Sequence, residues 1–304
     1  MTTSANVAVL IPCLNEEQAI GDVVRNVISS LPGAKIYVYD NGSTDGTTAA
    51  ASAAGAIVRC EPMRGKGNVV RRMFADVEAD VYVMVDGDGT YDISVAQVMI
   101  DKLLAEKLDL VTGIRIDTKT SGETYRRGHR AGNALFTRAL TKIFRSDCMD
   151  VLSGYRVMSR RFIKSFPTVA RGFEIEVEMT AHASLLRVPT GDVETKYGDR
   201  AEGTVSKLST YRDGLRIARA LFRIFRAYSP SRFFGTLAGF SGLLAGTFVL
   251  GALADDSSGL SAYTVAAGIF FVVSALLFSV GVILNALARQ RIETLRLTYL
   301  AIPA

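Results

Sequence analysis

A doubly wound, mostly parallel α/β sheet followed by a membrane anchor is the architecture this 304-residue sequence predicts. Three observations predict it. Continuous apolar runs alternate with helix-like stretches through the first 115 residues, the pattern of strands covered on both faces. A basic amphipathic stretch occupies 206–232. Two charge-free segments, 233–254 and 257–288, then run for 22 and 32 residues, and about 20 apolar residues are enough to cross a hydrocarbon core of ~30 Å.

The elements follow in order. Apolar runs at 7–11, 35–39, 56–58, 81–85 and 108–114 predict strands, and the intervening stretches 16–30, 44–54, 67–77 and 94–106 predict helices. Beyond 115 the pattern is less regular, with a basic helix predicted over 125–144, a strand over 153–158, a helix over 174–184 and a strand over 185–196. Between 206 and 228, Tyr211, Leu215, Ala218, Phe222 and Phe225 line one helical face. Arg212, Arg216, Arg219, Arg223 and Arg226 repeat the same spacings one residue on, roughly 100° round the helix. A basic amphipathic helix just before a membrane span is expected to lie in the interface plane. The predicted domains are therefore 1–205 (catalytic), 206–232 (interfacial helix), 233–254 and 261–288 (transmembrane helices) and 289–304 (tail).

Charge sets the orientation. Arg226 and Arg232 precede the first span, Arg289, Arg291 and Arg296 follow the second, and the linker between the spans carries only Asp255 and Asp256. Positive flanks stay cytoplasmic, so both ends of the hairpin and the N-terminal domain are expected on the cytoplasmic side of the plasma (inner) membrane. The chain opens without a charged region followed by an apolar one, so a cleavable signal peptide is not expected. Cys13, Cys60 and Cys148 lack metal-ligand spacing and fit a reducing compartment. The net charge of +5 is concentrated at 200–232, where eight Lys/Arg face Glu202 and Asp213. A basic collar there suits lipid headgroups or phosphate. Nucleic-acid binding would place the basic residues on the globular domain.

Each polar motif falls at the carboxyl end of a predicted strand, where doubly wound sheets bind ligands. Pro12-Cys13-Leu14-Asn15-Glu16 follows the first strand, Asp40-Asn41-Gly42-Ser43 the second, and Asp86-Gly87-Asp88 the fourth. Any one alone is equally plain turn chemistry. Three on one rim predict a site. Glycines at 87 and 89 permit a turn that brings Asp86 and Asp88 towards one hard cation, Mg²⁺ or Mn²⁺, held with diphosphate oxygens. Gly65-Lys66-Gly67 lacks the rest of a P-loop or dinucleotide fingerprint, so ATP and NAD are not implied. His129 and His182 read as structural or surface residues, and Glu174, Glu176 and Glu178 as acids at a helix N-terminus, with Glu176 a site candidate.

Ile11-Pro12-Cys13-Leu14-Asn15-Glu16-Glu17, Asp40-Asn41-Gly42-Ser43-Thr44-Asp45-Gly46-Thr47 and Val85-Asp86-Gly87-Asp88 resemble the three hallmark motifs of inverting family-2 glycosyltransferases, which have a GT-A-like fold. Arg64-Gly65-Lys66-Gly67, Thr112-Gly113-Ile114-Arg115, Asp150-Val151-Leu152-Ser153-Gly154-Tyr155-Arg156 and Phe173-Glu174-Ile175-Glu176 narrow the resemblance to the polyprenyl- (dolichyl- or undecaprenyl-) phosphate glycosyltransferases. The Asp-Gly-Asp-Gly-Thr form is closest to the dolichyl-phosphate glucose branch.

The resemblance implies donor contacts from Pro12, Leu14, Glu16, Asp40, Lys66, Asp86, Gly87 and Asp88, with a divalent cation on Asp86 and Asp88. The mannose branch places a Gln where this chain has Thr90, so the third metal ligand is Thr90 or water. It also implies a lipid phosphate held by Arg115, Arg130, Arg200 and Lys207, with Arg127 an alternative to Arg130. Asp88, Asp150 and Arg115 are the expected catalytic residues, Asp150 orienting acceptor or sugar. A lipid monophosphate, with a second pKa of about 6, can attack the anomeric carbon without a strong general base.

The implied reaction is inverting transfer of a hexose, from UDP-glucose as favoured donor, to a polyprenyl phosphate. GDP-mannose or a UDP-N-acetylhexosamine is the alternative donor. A processive synthase would carry a Gln-x-x-Arg-Trp motif, and this chain has no Trp. A membrane scaffold retaining the fold is the reading from another class. Nucleotide sugar, polyprenyl phosphate and membrane are the expected partners, and self-association is compatible with the sequence.

Overall fold

The structure, a computed structural model, describes residues 5–117, 149–172, 174–198, 219, 222–223, 225–254 and 261–303. The chain divides into two compact units, residues 1–218 with 295–304 and residues 219–294.

The first unit is the predicted sheet. In chain order its elements are β1 (Val7–Cys13), α1 (Glu17–Ser30), β2 (Lys35–Asp40), α2 (Thr47–Ala53), β3 (Ile57–Cys60), α3 (Lys66–Asp76), β4 (Val81–Met84), α4 (Ala96–Ala105), β5 (Leu110–Asp117), β6 (Arg156–Ser159), α5 (Arg160–Ser165), α6 (Ile175–Leu186) and β7 (Thr190–Tyr197). The strand order is β3-β2-β1-β4-β6-β5-β7. Neighbours pair in parallel except β6, which runs antiparallel to both β4 and β5. That reversal matters for the site. Arg156 opposes Met84, so Gly154 and Tyr155, entering β6, arrive at the rim where β4 leaves.

Side chains alternate across the strands, and both faces are buried. Val9, Ile11, Val38, Val83 and Val157 join one core with Ile20, Val24 and Val27 of α1 and Met99 and Leu103 of α4. Ala8, Leu10, Tyr39, Tyr82, Met84 and Met158 join the other with Val70 and Met73 of α3 and Ile175 and Met179 of α6. Two-sided burial is why these strands read as unbroken apolar runs.

Several boundaries move for local reasons. The helix predicted over 44–54 begins at Thr47, because the Asp45 carboxylate accepts from the Thr47 amide at 3.1 Å and turns the chain first. The helix predicted over 94–106 opens as a 3₁₀ turn, Ile93–Val95, whose start Asp92 caps through the Ser94 amide at 3.0 Å. Helix α5 was not expected; the Ser159 hydroxyl caps it by accepting from the Phe162 amide. The strand predicted over 185–196 starts only at Thr190, since Arg187 adopts φ 55° and ends α6. The helix predicted over 125–144 lies outside the described residues, as does most of the predicted interfacial helix. Of its described positions, 219, 222–223 and 225–228 are helical, Ser229 is not, and the next helix begins at Pro230, before the predicted start of the first span at 233.

Asp109, fully buried, gathers the far side of this unit. It accepts from Ser159 Oγ at 2.6 Å, Arg161 Nε at 2.8 Å and Tyr299 Oη at 2.6 Å. Arg161 also stacks over the Tyr299 ring, 4.9 Å from its centroid. Leu295 and Tyr299 pack on the second core, so the end of the stretch predicted as a tail belongs to the first unit.

The second unit contains α7 (Pro230–Leu253) and most of α8 (Ala262–Ala301), both long and apolar enough to cross a membrane, with mean hydropathies of 1.7 and 2.6. The helix α8 continues past the apolar segment, since Arg, Gln, Glu and Leu are good helix formers. Across the pair, Ser241 Oγ donates to the Phe270 carbonyl at 2.9 Å and Ser274 Oγ to the Ala238 carbonyl at 2.8 Å. Small residues such as Gly242 and Gly281 allow that approach. Large side chains including Leu243, Phe271 and Ile283 face outward.

Candidate active site

Asn15 and Asn41 stitch the strand-end loops together. Asn15, at φ 49°, donates its backbone amide to Ser43 Oγ (2.8 Å), and its Oδ1 accepts from the Thr44 amide (2.8 Å). This joins the loop after β1 to the loop after β2. Asn41 Nδ2 donates to the carbonyls of Glu61 and Met63 at 2.8 and 2.9 Å, while its Oδ1 accepts from the Gly65 amide at 2.7 Å. The Arg64-Gly65-Lys66-Gly67 turn is thereby fastened to the same rim. Gly65 has φ 121°, and a Cβ there or at Gly67 would run into the carbonyls of Arg171 and Ala170.

Asp40, an expected donor contact, also organises the loop that carries it. Its carboxylate, buried, accepts from the Gly42 and Ser43 amides and the Ser43 hydroxyl, so it shapes its own loop. Pro12 and Leu14, half-buried, remain on the rim, and Glu16 leads into α1, its carbonyl accepting from the Ala19 and Ile20 amides.

The turn after β4 carries the expected carboxylates. Gly87 is required for close approach, since a Cβ would lie 2.5 Å from Cys13 Sγ, and Gly89 supplies φ 73°. Asp88, buried, accepts from the Thr90 amide at 3.2 Å and hydroxyl at 2.6 Å. The Thr90 hydroxyl is therefore directed at Asp88. Asp86 accepts from Lys66 Nζ at 2.5 Å, and the same ammonium lies 2.6 Å from Glu176 Oε1. Burial disfavours the Lys66 ammonium, but Asp86 and Glu176 outweigh it and raise its pKa well above an ordinary lysine. The Lys66, Asp86 and Glu176 side chains are 10%, 28% and 4% exposed, so Asp86 is the member a ligand reaches first. Among the described residues no group of three or more His, Cys, Asp or Glu is arranged to hold a metal ion. The hard-oxygen donors on this turn are Asp86 and Asp88, a set suited to Mg²⁺ or Mn²⁺ when substrate oxygens and water complete it.

Beside them lies an aromatic wall. Tyr91 Oη accepts from the Gly154 amide at 2.9 Å, and its ring packs edge-on against Tyr155 and Tyr197, with centroids 5.5 and 5.1 Å apart. Burial pushes the Tyr91 phenol up, with Arg115 and Asp86 acting on it in opposite senses. A Cβ on Gly154 would collide with the Asp86 carboxylate. Arg115 lies over Tyr197 at 5.5 Å and forks onto Asp150, Nε to Oδ2 at 2.7 Å and Nη2 to Oδ1 at 2.8 Å. Burial works against the Arg115 charge, and the Asp150 hydrogen bonds override it and raise its pKa.

The structure thus brings Lys66, Asp86, Gly87, Asp88, Arg115 and Asp150 onto one stretch of rim. Lys66, an expected donor contact, pairs with carboxylates. Arg115, expected on the acceptor phosphate, is paired with Asp150. Arg127, Arg130, Arg200 and Lys207 lie outside the described residues. Sequence reasoning passed over Tyr91 and Tyr197, for which no local pattern exists, and named Glu176 as a candidate without its partner Lys66. His182 is structural as read, buried against Phe162 and Phe166.

Residues 8–166 match Glycosyl transferase family 2. Glycosyltransferase AglJ of Haloferax volcanii is 34% identical over 287 residues, spanning 92% of this chain and 93% of the relative. A dolichyl-phosphate hexose transferase of the same organism is 28% identical over 73% of this chain and 95% of its own length. Among solved structures, glucosyl-3-phosphoglycerate synthase from Mycobacterium tuberculosis, in complex with Mn²⁺, UDP and phosphoglyceric acid, has a TM-score of 0.59. It is 24% identical over 73% of this chain and 78% of that one, a likeness of fold. A doubly wound sheet with this carboxylate turn, matched across its catalytic unit, belongs to glycosyl transferase family 2, and the protein is a glycosyltransferase.

Proposed function

We propose that the enzyme transfers a hexose, UDP-glucose being the favoured donor, to a polyprenyl phosphate, with inversion. The observation that carries this reading is the juxtaposition, around Tyr91 and Gly154, of the Asp86 cluster with the Arg115–Asp150 pair. One side suits a diphosphate leaving group and the other a phosphate acceptor. The related dolichyl-phosphate hexose transferase, and two helices long and apolar enough to cross a membrane, support a lipid acceptor.

In this reading the nucleoside diphosphate lies along the loops after β1, β2 and β4. Asp86 and Asp88 would hold a divalent cation, which when bound neutralises charge on the departing diphosphate. The likeness to a fold that binds Mn²⁺ with UDP supports that assignment, and water is left as the third ligand because Thr90 Oγ1 is turned onto Asp88. Lys66 adds a positive charge beside the diphosphate. Arg115 meets the acceptor phosphate, and Asp150 holds the guanidinium plane in place until it does. The acceptor phosphate, already ionised, needs no base and attacks the anomeric carbon opposite the leaving group. An α-linked donor would give a β-linked polyprenyl-phosphate sugar. The catalytic unit is assigned to the cytoplasmic side, as the charge flanks of the spans suggest, and the tie of Tyr299 to Asp109 agrees with a chain end on that same side.

Membranes containing the protein, incubated with a panel of nucleotide sugars and polyprenyl phosphate with and without chelator, test the reading. A chelator-sensitive polyprenyl-phosphate hexose is the expected product. Transfer only to a hydroxyl acceptor overturns it.

A further inference from the structure

We infer that Glu176 is a positioning residue that draws Lys66 off Asp86 as the donor's diphosphate arrives, and so sets donor affinity. This rests on the reading that Asp86 grips the donor diphosphate. In the structure one ammonium bridges two carboxylates, Asp86 Oδ1 at 2.5 Å and Glu176 Oε1 at 2.6 Å. While it sits on Asp86 it occupies the place a cation would take there, and two positive groups on one carboxylate oppose each other. The ammonium has to give way, and Glu176 is built to receive it. Its Oε2 is buried without a hydrogen-bond partner among the described residues, an unmet acceptor beside the ammonium. Such a group gains from any donor that turns to it.

Glu176 cannot follow Lys66, because its backbone is pinned. The Glu176 carbonyl accepts from Thr180 Oγ1 at 3.1 Å, and Thr180 Oγ1 accepts from Arg156 Nη2 at 3.0 Å. Arg156, fully buried, also donates to the carbonyls of Val151 and Ser153. These bonds fasten the first turn of α6 to the loop that carries Asp150. Lys66 itself is a long side chain at the start of α3, directly after Gly65 at φ 121°. A flexible cation between one partly exposed and one buried carboxylate exchanges partners by side-chain rotation alone. Removing the buried charge would leave Lys66 committed to Asp86, in competition with the donor complex.

Calorimetric binding of UDP with Mn²⁺, and of GDP with Mn²⁺ in parallel, to the full-length protein in detergent tests this. If neither nucleotide binds the wild type, the donor reading fails and this inference with it. If one binds, Glu176→Gln is expected to weaken it about tenfold and to raise the donor KM by a similar factor. Turnover at saturating donor is expected to change less than about threefold, because the loss is in ground-state binding. In a Lys66→Met background, Glu176→Gln is expected to have no further effect on binding, as no ammonium remains to be placed. Unchanged or tighter binding in Glu176→Gln overturns the inference alone, as does an equal loss in both backgrounds. Should Glu176→Gln fail to fold, Glu176→Asp, which withdraws the carboxylate from Lys66 by one methylene, is read instead: weaker binding supports the inference and unchanged binding overturns it.

Discussion

Arg115 and Asp150 meet as a two-pronged ion pair, 2.7 and 2.8 Å, with the Arg115 backbone amide also directed at Asp150 Oδ2 at 3.4 Å. The carboxylate is buried and the guanidinium, stacked on Tyr197, nearly so. Within the proposed reaction, Asp150 keeps a phosphate-seeking fork flat and aimed. Asp150→Asn leaves Arg115 buried without its counter-charge and is expected to destabilise the catalytic unit by about 3 kcal/mol. Urea unfolding of the detergent-solubilised protein, followed by circular dichroism, measures the loss.

Asp88→Asn keeps an oxygen for the Thr90 hydroxyl and amide, so the turn after β4 is expected to survive. Sugar transfer is expected to fall by about a hundredfold or more, as when a group stabilising a developing charge is removed. The assay is radiolabelled sugar incorporation into membrane lipid at saturating Mn²⁺. Unchanged transfer would move the diphosphate grip away from this turn.

Gly154→Ala drives a methyl group into the Asp86 carboxylate. Asp86 sits on a partly exposed turn and can yield, so the effect is expected to fall on catalysis more than on stability. A loss in kcat/KM of about tenfold or more, near 1.4 kcal/mol, with a melting temperature close to wild type, is the expected pattern. A large drop in melting temperature with an unaltered kcat/KM would contradict it.

His182 gives the fold an acid sensitivity. Burial against Phe162 and Phe166 lowers its pKa from 6.5 to about 4. A depressed pKa means the unfolded chain binds the proton more readily, so stability is full above 6.5 and falls as pH drops towards 4. By pH 5 the loss from this residue alone is about 2 kcal/mol. Thermal melts of wild type and His182→Leu between pH 7 and 5 isolate it, the variant being expected to lose the decline over that interval.

Much of this fold is written locally. The run Val7-Ala8-Val9-Leu10-Ile11 is a strand buried on both faces, and its five apolar side chains say so without reference to anything distant. Asp86 and Asp88 were legible as a carboxylate turn at a strand end because glycines follow each of them and a strand precedes them. Glu176 was not. An acid in the first turn of a helix satisfies the helix dipole wherever it is, so its sequence context is the same whether it faces solvent or Lys66. Tyr91 and Tyr197 are similarly silent, since their contact depends on a bridge between the loop after β4 and the end of β7.

The sequence alone determined the strands, most of the helices, the rim on which the motifs gather and the two helices able to cross a membrane. Periodicity and charge-free length are properties of contiguous residues, and they survive without knowledge of the fold. Tertiary structure alone decided which charges answer each other. Lys66 meets Glu176, Arg115 meets Asp150 and Tyr299 meets Asp109 because the fold carries segments distant in sequence to the same places. Burial then makes each such pairing strong enough to be specific, as a charge removed from water must find its partner.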